Sequence, residues 1–326
     1  MASERQRTLL IAVGGNSLIR AGQKGTIPEQ MENAREISRC VAHLVARGYA
    51  VVLTHGNGPQ VGAQLLRSES GASQTYTLPL DVCVAMTQGE IGFILTAALQ
   101  EALRDAGVCV PVVPIVTQVL VDGADRAFTR PTKPIGPFYT EETAERKKRD
   151  LGWSVVEDAS RGYRRVVASP APVSIIGFDV ISKCLAAGMI VIAVGGGGIP
   201  VVAEEGAIRG VEAVIDKDRA SALLALQLKL ERMVISTDVD RVYLRYKTPK
   251  QEALGVLTYD DAYRYLNVGH FSEGSMKPKI EAALQFLHGG GREAIITNPA
   301  NLLAALEGNA GTRIICQDHY ETAPHH

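Results

Sequence analysis

The run Val214-Ile215-Asp216-Lys217-Asp218 delivers a lysine flanked by two carboxylates to the start of a helix. Asp218 suits the cap of that helix and leaves Asp216 to hold Lys217, and a helix start already favours anions. Ser275-Met276-Lys277-Pro278-Lys279 repeats the idea with a cap residue, a first-turn proline and two lysines. A lysine at that position opposes the helix dipole by about 0.3–1 kcal/mol, so chance placement is mildly disfavoured. Lys277 and Lys279 are two residues apart and cannot both face one point, so Lys279 is assigned to a ligand and Lys277 to solvent.

Three strand ends supply a second kind of group. Leu9–Val13 runs into Gly14-Gly15-Asn16-Ser17, Tyr49–Thr54 into His55-Gly56-Asn57-Gly58-Pro59, and Ile190–Val194 into the four glycines Gly195 to Gly198. Glycines at the carboxyl end of a buried strand let backbone N–H groups turn toward an anion. These turns lack the Gly-Lys-Ser/Thr ending of a P-loop and the Gly-x-Gly-x-x-Gly spacing of a dinucleotide fold. Lysines at helix starts, an acidic partner and N–H donors are the parts phosphoryl transfer needs, because its transition state spreads negative charge over several oxygens. His55, beside a glycine turn, reads as a structural hydrogen-bonding residue rather than a base.

The elements that must position these groups alternate. Thr26-Ile27-Pro28-Glu29 is a capping box opening a helix with Ala34, Ile37, Val41, Leu44 and Val45 on one face, ended by Gly48. A long helix over Leu80–Ala106 follows, then β-like character over Val108–Val121. Later come a helix from Asp218 to Glu231, strands at Met233–Thr237 and Val242–Leu244, a helix from Met276 to His288, and last strands at Ala294–Thr297 and Thr312–Cys316. This order implies an α/β fold with a mainly parallel sheet and helices on both faces. Between Asp122 and Arg165 the texture changes, since eighteen of the forty-four residues are charged and the single tryptophan, Trp153, falls there. Pro131–Tyr139 reads as stiff and extended and Glu141–Asp150 as a solvated helix, so 122–165 is expected to be a small protruding lid inserted in one domain over 1–316. The polar, aperiodic 317–326 is set apart as a tail, its closing His325-His326 possible tag residues.

The 326 residues carry 34 basic and 35 acidic side chains, a net charge of −1, so no global field favours nucleic acid or an anionic membrane. Cys40, Cys83, Cys109, Cys184 and Cys316 are far apart and mostly flanked by apolar residues, which suggests buried free thiols in a reducing cytoplasm. No continuous apolar run nears the roughly 20 residues of a membrane span, and Met1–Arg7 has no signal-peptide core.

Six segments, taken in order, resemble those of the carbamate kinases within the amino acid kinase family. They are Gly14-Gly15-Asn16, Thr54–Gly62, Pro131–Gly136, Gly195–Val201, Val214–Asp218, and Gly274-Ser275-Met276 with Pro278-Lys279, so the likeness covers nearly the whole chain. It implies a three-layer αβα open sandwich, a homodimer, and reversible transfer of the ATP γ-phosphoryl group to carbamate with Mg²⁺, running toward ATP from carbamoyl phosphate in the breakdown of arginine, agmatine or purines. By the same resemblance, Lys217 and Lys279 stabilise the moving phosphoryl group, Asp216 orients the lysines, and Lys133 reaches in from the lid. Gly14, Gly15, Asn16, Gly56, Asn57 and Gly58 hold the carbamate end. Nucleotide is assigned to Gly196, Gly197, Lys217, Asp238, Tyr243, Ser275, Met276 and Lys279, with adenosine near Asp238 and Tyr243. Ser17, Lys277 and Gly177 depart from the family's usual alanine, glycine and glutamate. The competing readings are another acid kinase acting on acetylglutamate, aspartate or a nucleoside monophosphate, a nucleotide-binding sensor without turnover, and a dinucleotide-binding oxidoreductase. The four contiguous glycines disfavour the last.

Overall fold

The computed structural model describes residues 7–20, 22–158, 162–272 and 274–316, so the tail 317–326 lies outside the described residues. Its centre is an eight-stranded sheet in the order Val256–Thr258, Thr312–Ile315, Glu293–Thr297, Arg232–Ser236, Thr8–Val13, Ala50–His55, Ile190–Ile192, Val112–Pro114. Every pairing is parallel except that between Glu293–Thr297 and Thr312–Ile315. Central strands are apolar on both faces because helices cover both. Successive residues alternate sides: Leu10 and Ala12 join one core with helices Lys217–Gln227 and Met276–His288, while Leu9, Ile11 and Val13 join the other with helices Ile27–Ala46 and Leu80–Asp105. The result is the expected three-layer αβα sandwich.

Helix Ile27–Ala46 opens on the anticipated capping box of Thr26 and Glu29. Helix Leu80–Asp105 is long and apolar enough to cross a membrane by length and composition, with a mean hydropathy of 1.6 over a window that is 56% buried here. The continuous-run criterion missed this because Asp81, Gln88 and Glu90 interrupt the pattern. Its inward face fills the core, and Val82, Met86 and Phe93 stand exposed on the opposite face.

A second sheet, ordered Ala207–Gly210, Ile199–Glu204, Gln118–Val121, Pro172–Ile175, leads into a third built only from the charged insert. That third sheet is antiparallel, ordered Lys133–Tyr139, Gly162–Val167, Ser154–Asp158, with helix Glu141–Leu151 crossing over between its first two strands in sequence. Pro134 and Pro137 fit because their strand is an edge. The insert's regular structure therefore spans 133–167, a little later than 122–165. The residues before it are anchored by Asp125, whose carboxylate accepts the Ala127 and Ala171 N–H groups at 2.8 and 2.9 Å. The thiols differ from expectation: Cys83 is buried, Cys40, Cys184 and Cys316 are half-buried, and Cys109 is exposed.

Candidate active site

Strand Thr8–Val13 ends in the 3-10 turn Gly15–Ser17, and neighbouring strand Ala50–His55 ends in the loop that opens helix Gly58–Gly71. The Gly56 N–H donates to the Val13 carbonyl at 3.0 Å, which presses the two loops together backbone to backbone. A Cβ on Gly56 would lie 2.8 Å from the Gly15 nitrogen and 3.2 Å from Lys217 Cδ, so glycine is required there for close approach. Gly196 is another such position, at φ +67° with its missing Cβ only 2.2 Å from Asn57 Nδ2.

Helix Lys217–Gln227 is capped by Asp216, whose Oδ1 accepts the N–H groups of Asp218 and Arg219 at 2.9 and 3.4 Å. This reverses the expected division between the two carboxylates. Asp216 is the extended residue before the first helical turn and so meets the orphan N–H groups, while Asp218 stands inside the turn with its side chain free to face the lysines. Asp216 Oδ2 takes Lys133 Nζ at 2.8 Å. Asp218 pairs with Lys217 through Oδ1 and with Lys279 Nζ through Oδ2 at 3.0 Å. Sequence reasoning missed Asp218 as the carboxylate that gathers both helix-start lysines, although its place beside Lys217 was the available signal.

The height of Lys217 is set from beneath. Thr54 Oγ1 lies 2.6 Å from Ser221 Oγ, and Ser221 donates to the Lys217 carbonyl at 2.6 Å, tying the second strand to the helix's first turn. Burial opposes the charge on Asp218, but Lys217 and Lys279 outweigh it and hold the carboxyl well below the usual range. Burial likewise opposes Asp216, and Lys133 overrides it to keep that carboxyl low. Lys217 is pushed down by burial despite Asp218, whereas Asp218 more than offsets burial at Lys279 and raises it. With Lys133 and with Asp238 of the same wall, three ammoniums face three carboxylates where the loops converge.

These groups line a cleft of about 290 Å³, together with Gly14, Gly15, Gly56, Asn57, Gly58 and Gly196. Thr237, Asp238, Ser275 and Lys279 are shared with an adjoining chamber of about 610 Å³ whose walls include Tyr243, Tyr246, Phe271 and Met276. Thus Asp238, Tyr243, Ser275, Met276 and Lys279 come together in one chamber, and Lys133, Asp216 and Lys217 in the cleft beside it. Gly196 belongs to the cleft wall rather than the chamber. Gly197 lines neither, since its Cβ would meet the Ile215 carbonyl at 2.4 Å, one layer beneath Asp216. Asn57 is at the cleft, but its side-chain amide donates to Thr87 Oγ1 at 2.8 Å and so braces the loop. The Asn16 side chain lies outside the described residues. His55 is buried with Nδ1 3.1 Å from the Gly56 carbonyl, and burial lowers its pKa to about 4, in keeping with a structural role.

A sequence profile of the amino acid kinase family matches residues 7–298. The carbamate kinases of Thermococcus kodakarensis and Staphylococcus haemolyticus are 48% and 46% identical to this chain, covering 95% and 94% of it and 99% and 98% of their own lengths. Among solved structures, carbamate kinase from Giardia lamblia bound to AMP-PNP matches with a TM-score of 0.90 and 41% identity, over 95% of this chain and 99% of that one. The chain belongs to the amino acid kinase family. Within that family its place is among the carbamate kinases.

Proposed function

We propose that this protein catalyses reversible transfer of the γ-phosphoryl group of ATP to carbamate, giving ADP and carbamoyl phosphate. The observation that carries this reading is the Lys133, Lys217, Lys279, Asp216 and Asp218 cluster at the junction of a small cleft and a larger, aromatic-walled chamber. Adenine suits the chamber beside Tyr243 and Met276. The phosphates then point past Ser275 toward Lys279 and Lys217, which meet the charge on the moving group while Asp218 holds both lysines in place. The Gly14, Gly15 and Gly58 backbone holds the acceptor in line with that group. Lys133 closes the cleft from the insert.

Asp238, the carboxylate of the wall shared by cleft and chamber, is suited to hold a Mg²⁺ carried on nucleotide phosphates. When bound, Mg²⁺ would neutralise charge on the phosphate oxygens. The exposed face of Val82, Met86 and Phe93 supports a homodimer, and the net charge of −1 gives no global attraction to nucleic acid or an anionic membrane.

ADP and carbamoyl phosphate supplied together should yield ATP, an assay that avoids labile carbamate. Stoichiometric ADP binding without ATP would instead mark a sensor, and transfer from ATP to acetylglutamate or aspartate in an acceptor panel would mark a different acid kinase.

A further inference from the structure

Thr54 is the only hydroxyl-bearing residue of strand Ala50–His55, and it is fully buried. Valine has the same shape without the polar atom, and a buried hydroxyl is costly unless hydrogen-bonded, so the informative feature is its partner. That partner is Ser221, equally buried, in helix Lys217–Gln227. Ser221 Oγ donates to the Lys217 carbonyl, which leaves the Thr54 hydroxyl to donate to Ser221 Oγ, and the three groups form one directed chain. A serine bonded to the carbonyl four residues earlier is common within helices. The bond to Thr54 is different, because it crosses from helix to sheet between residues 167 apart in sequence. A second contact lies one step along the same faces. Side chains alternate along a strand, so Thr54 and Gly56 look one way while His55 between them packs against Gly195. Lys217 and Ser221, four apart, likewise share a face of their helix. The Lys217 stem passes Gly56 so closely that a Cβ there would lie 3.2 Å from Lys217 Cδ. Strand and helix therefore meet in two rungs, Thr54 with Ser221 and Gly56 with Lys217. Only the second rung stands in the wall of the reaction cleft.

We propose that Thr54 is a positioning residue for phosphoryl transfer, its hydroxyl acting through Ser221 to set the distance between the Lys217 ammonium and the Gly56–Gly58 backbone. The assignment deepens the carbamate kinase reading and rests on it. Transfer is sensitive to that distance, since a misplacement of about 1 Å can cost about 10²-fold in rate. Apolar contact between helix and sheet is non-directional and leaves the helix height loosely defined. A hydrogen bond weakens steeply once its geometry is lost, so the Thr54–Ser221 rung fixes that height. The Gly56–Gly58 backbone continues the strand that carries Thr54 and is held in the ladder by the Gly56 N–H to Val13 bond of 3.0 Å. One strand thus references both the lysine and the backbone across from it.

The test is ATP formation from ADP and carbamoyl phosphate by Thr54→Val, Thr54→Ser and Ser221→Ala, each assayed where circular dichroism shows it fully folded. Thr54→Val keeps the side-chain shape and removes the hydroxyl. It should lower kcat about 10-fold and leave the ADP dissociation constant within about twofold of the parent. Thr54→Ser keeps the hydroxyl and should hold kcat within about twofold of the parent. Packing alone gives the reverse order, because valine fills the site and serine leaves a void. Ser221→Ala should show the same split between kcat and ADP affinity as Thr54→Val, and it decides the matter if Thr54→Val does not fold. The double variant Thr54→Val/Ser221→Ala should be no slower than the slower single one, since both changes break one chain. Parental kcat in the variants without the hydroxyl, an equal loss in Thr54→Ser, matching losses in kcat and ADP affinity, or additive losses in the double variant would overturn the assignment. Should the parent make no ATP at all, the functional reading is what fails. The positioning is then judged by carbon-13 NMR of the lysine side chains, where the Lys217 Cε resonance should move in Thr54→Val and return in Thr54→Ser. A Lys217 resonance unchanged in Thr54→Val would rule the positioning out.

Discussion

Lys133 Nζ lies 2.8 Å from Asp216 Oδ2, so the lysine of the charged insert is docked on the residue that caps the helix carrying Lys217. One carboxylate thereby serves two tasks: Oδ1 closes the helix start and Oδ2 receives a cation from another sheet. Substitution can separate them. Lys133→Ala should keep ADP affinity and thermal stability while kcat for ATP formation drops by about 10²-fold or more, as expected for a charge needed mainly in the transition state. Asp216→Asn should keep the cap, because asparagine is an equally good cap residue, and should lose turnover with little change in stability. An Asp216→Asn variant with parental kcat would remove the carboxylate from the mechanism.

Asp218 carries a different load, since it is the buried partner of two buried ammoniums. Asp218→Asn leaves both without a counter-charge and should cost about 3–5 kcal/mol in urea unfolding at pH 7. The Asp218 carboxyl titrates below its ordinary 3.8 in the folded chain. As pH falls below about 4 the unfolded chain takes up that proton first, so this stabilisation, fully present above that pH, is lost with acid. The variant's stability should therefore vary less steeply with pH below about 4 than the parent's. Parallel curves for the two proteins would contradict the depressed carboxyl.

How much of this was visible beforehand depends on the range of the interactions. The strand Leu9–Val13 and its glycine turn were legible because continuous burial and tight turns are local properties, as was the capping box at Thr26 and Glu29. The boundaries of helix Met276–His288 and strand Val242–Leu244 were legible for the same reason. The helix expected over Asp218–Glu231 instead runs Lys217–Gln227, because Asp216 captured the cap. The division of labour between Asp216 and Asp218 depends on where Lys133 and Lys279 arrive from, more than 60 residues away in each case, and no spacing rule encodes that. Helix Gly58–Gly71 went unread because Gly56, Gly58 and Pro59 read as a turn, although Pro59 is an ordinary first-turn residue. The hairpin Ile199–Glu204 with Ala207–Gly210 offered only Glu205-Gly206, both at positive φ, as its signal.

His55 follows from burial alone. With its pKa lowered to about 4 it stays neutral through pH 5–8, so the pH profile of kcat/KM should show no inflection assignable to it. As pH falls from the ordinary 6.5 toward 4, the unfolded chain protonates this residue while the folded chain does not, and stability declines over that window. An NMR titration of the imidazole tests both statements, and a His55 midpoint near 6.5 would refute them.

The insert is joined to the core at a second point, far from the cleft in sequence but mechanically tied to it. Lys147 Nζ lies 2.7 Å from Glu69 Oε2, with the two side chains only 15% and 28% exposed, and sits 4.4 Å from the Trp153 ring centroid and 5.2 Å from that of Tyr139. Glu69 belongs to helix Gly58–Gly71, whose first residues line the cleft, and Tyr139 ends the strand that begins with Lys133. Closer in, the same helix and strand touch with almost no separation, since a Cβ on Gly62 would lie 3.3 Å from Gly136 Cα. The Lys147 contact therefore helps hold Lys133 over the cleft. A half-buried ion pair within an aromatic cage is worth about 1–2 kcal/mol, enough to change the population of the docked insert about 10-fold. Lys147→Met keeps the apolar stem and removes the charge. It should raise KM for carbamoyl phosphate by up to about 10-fold, leave ADP affinity unchanged, and red-shift the emission of Trp153, the only tryptophan in the chain. Glu69→Gln leaves the ammonium over the rings and should raise KM less, and the double variant should be no worse than Lys147→Met, because both changes break the one ion pair. Additive losses in the double variant, or parental emission and KM in Lys147→Met, would show that the insert is held without this contact.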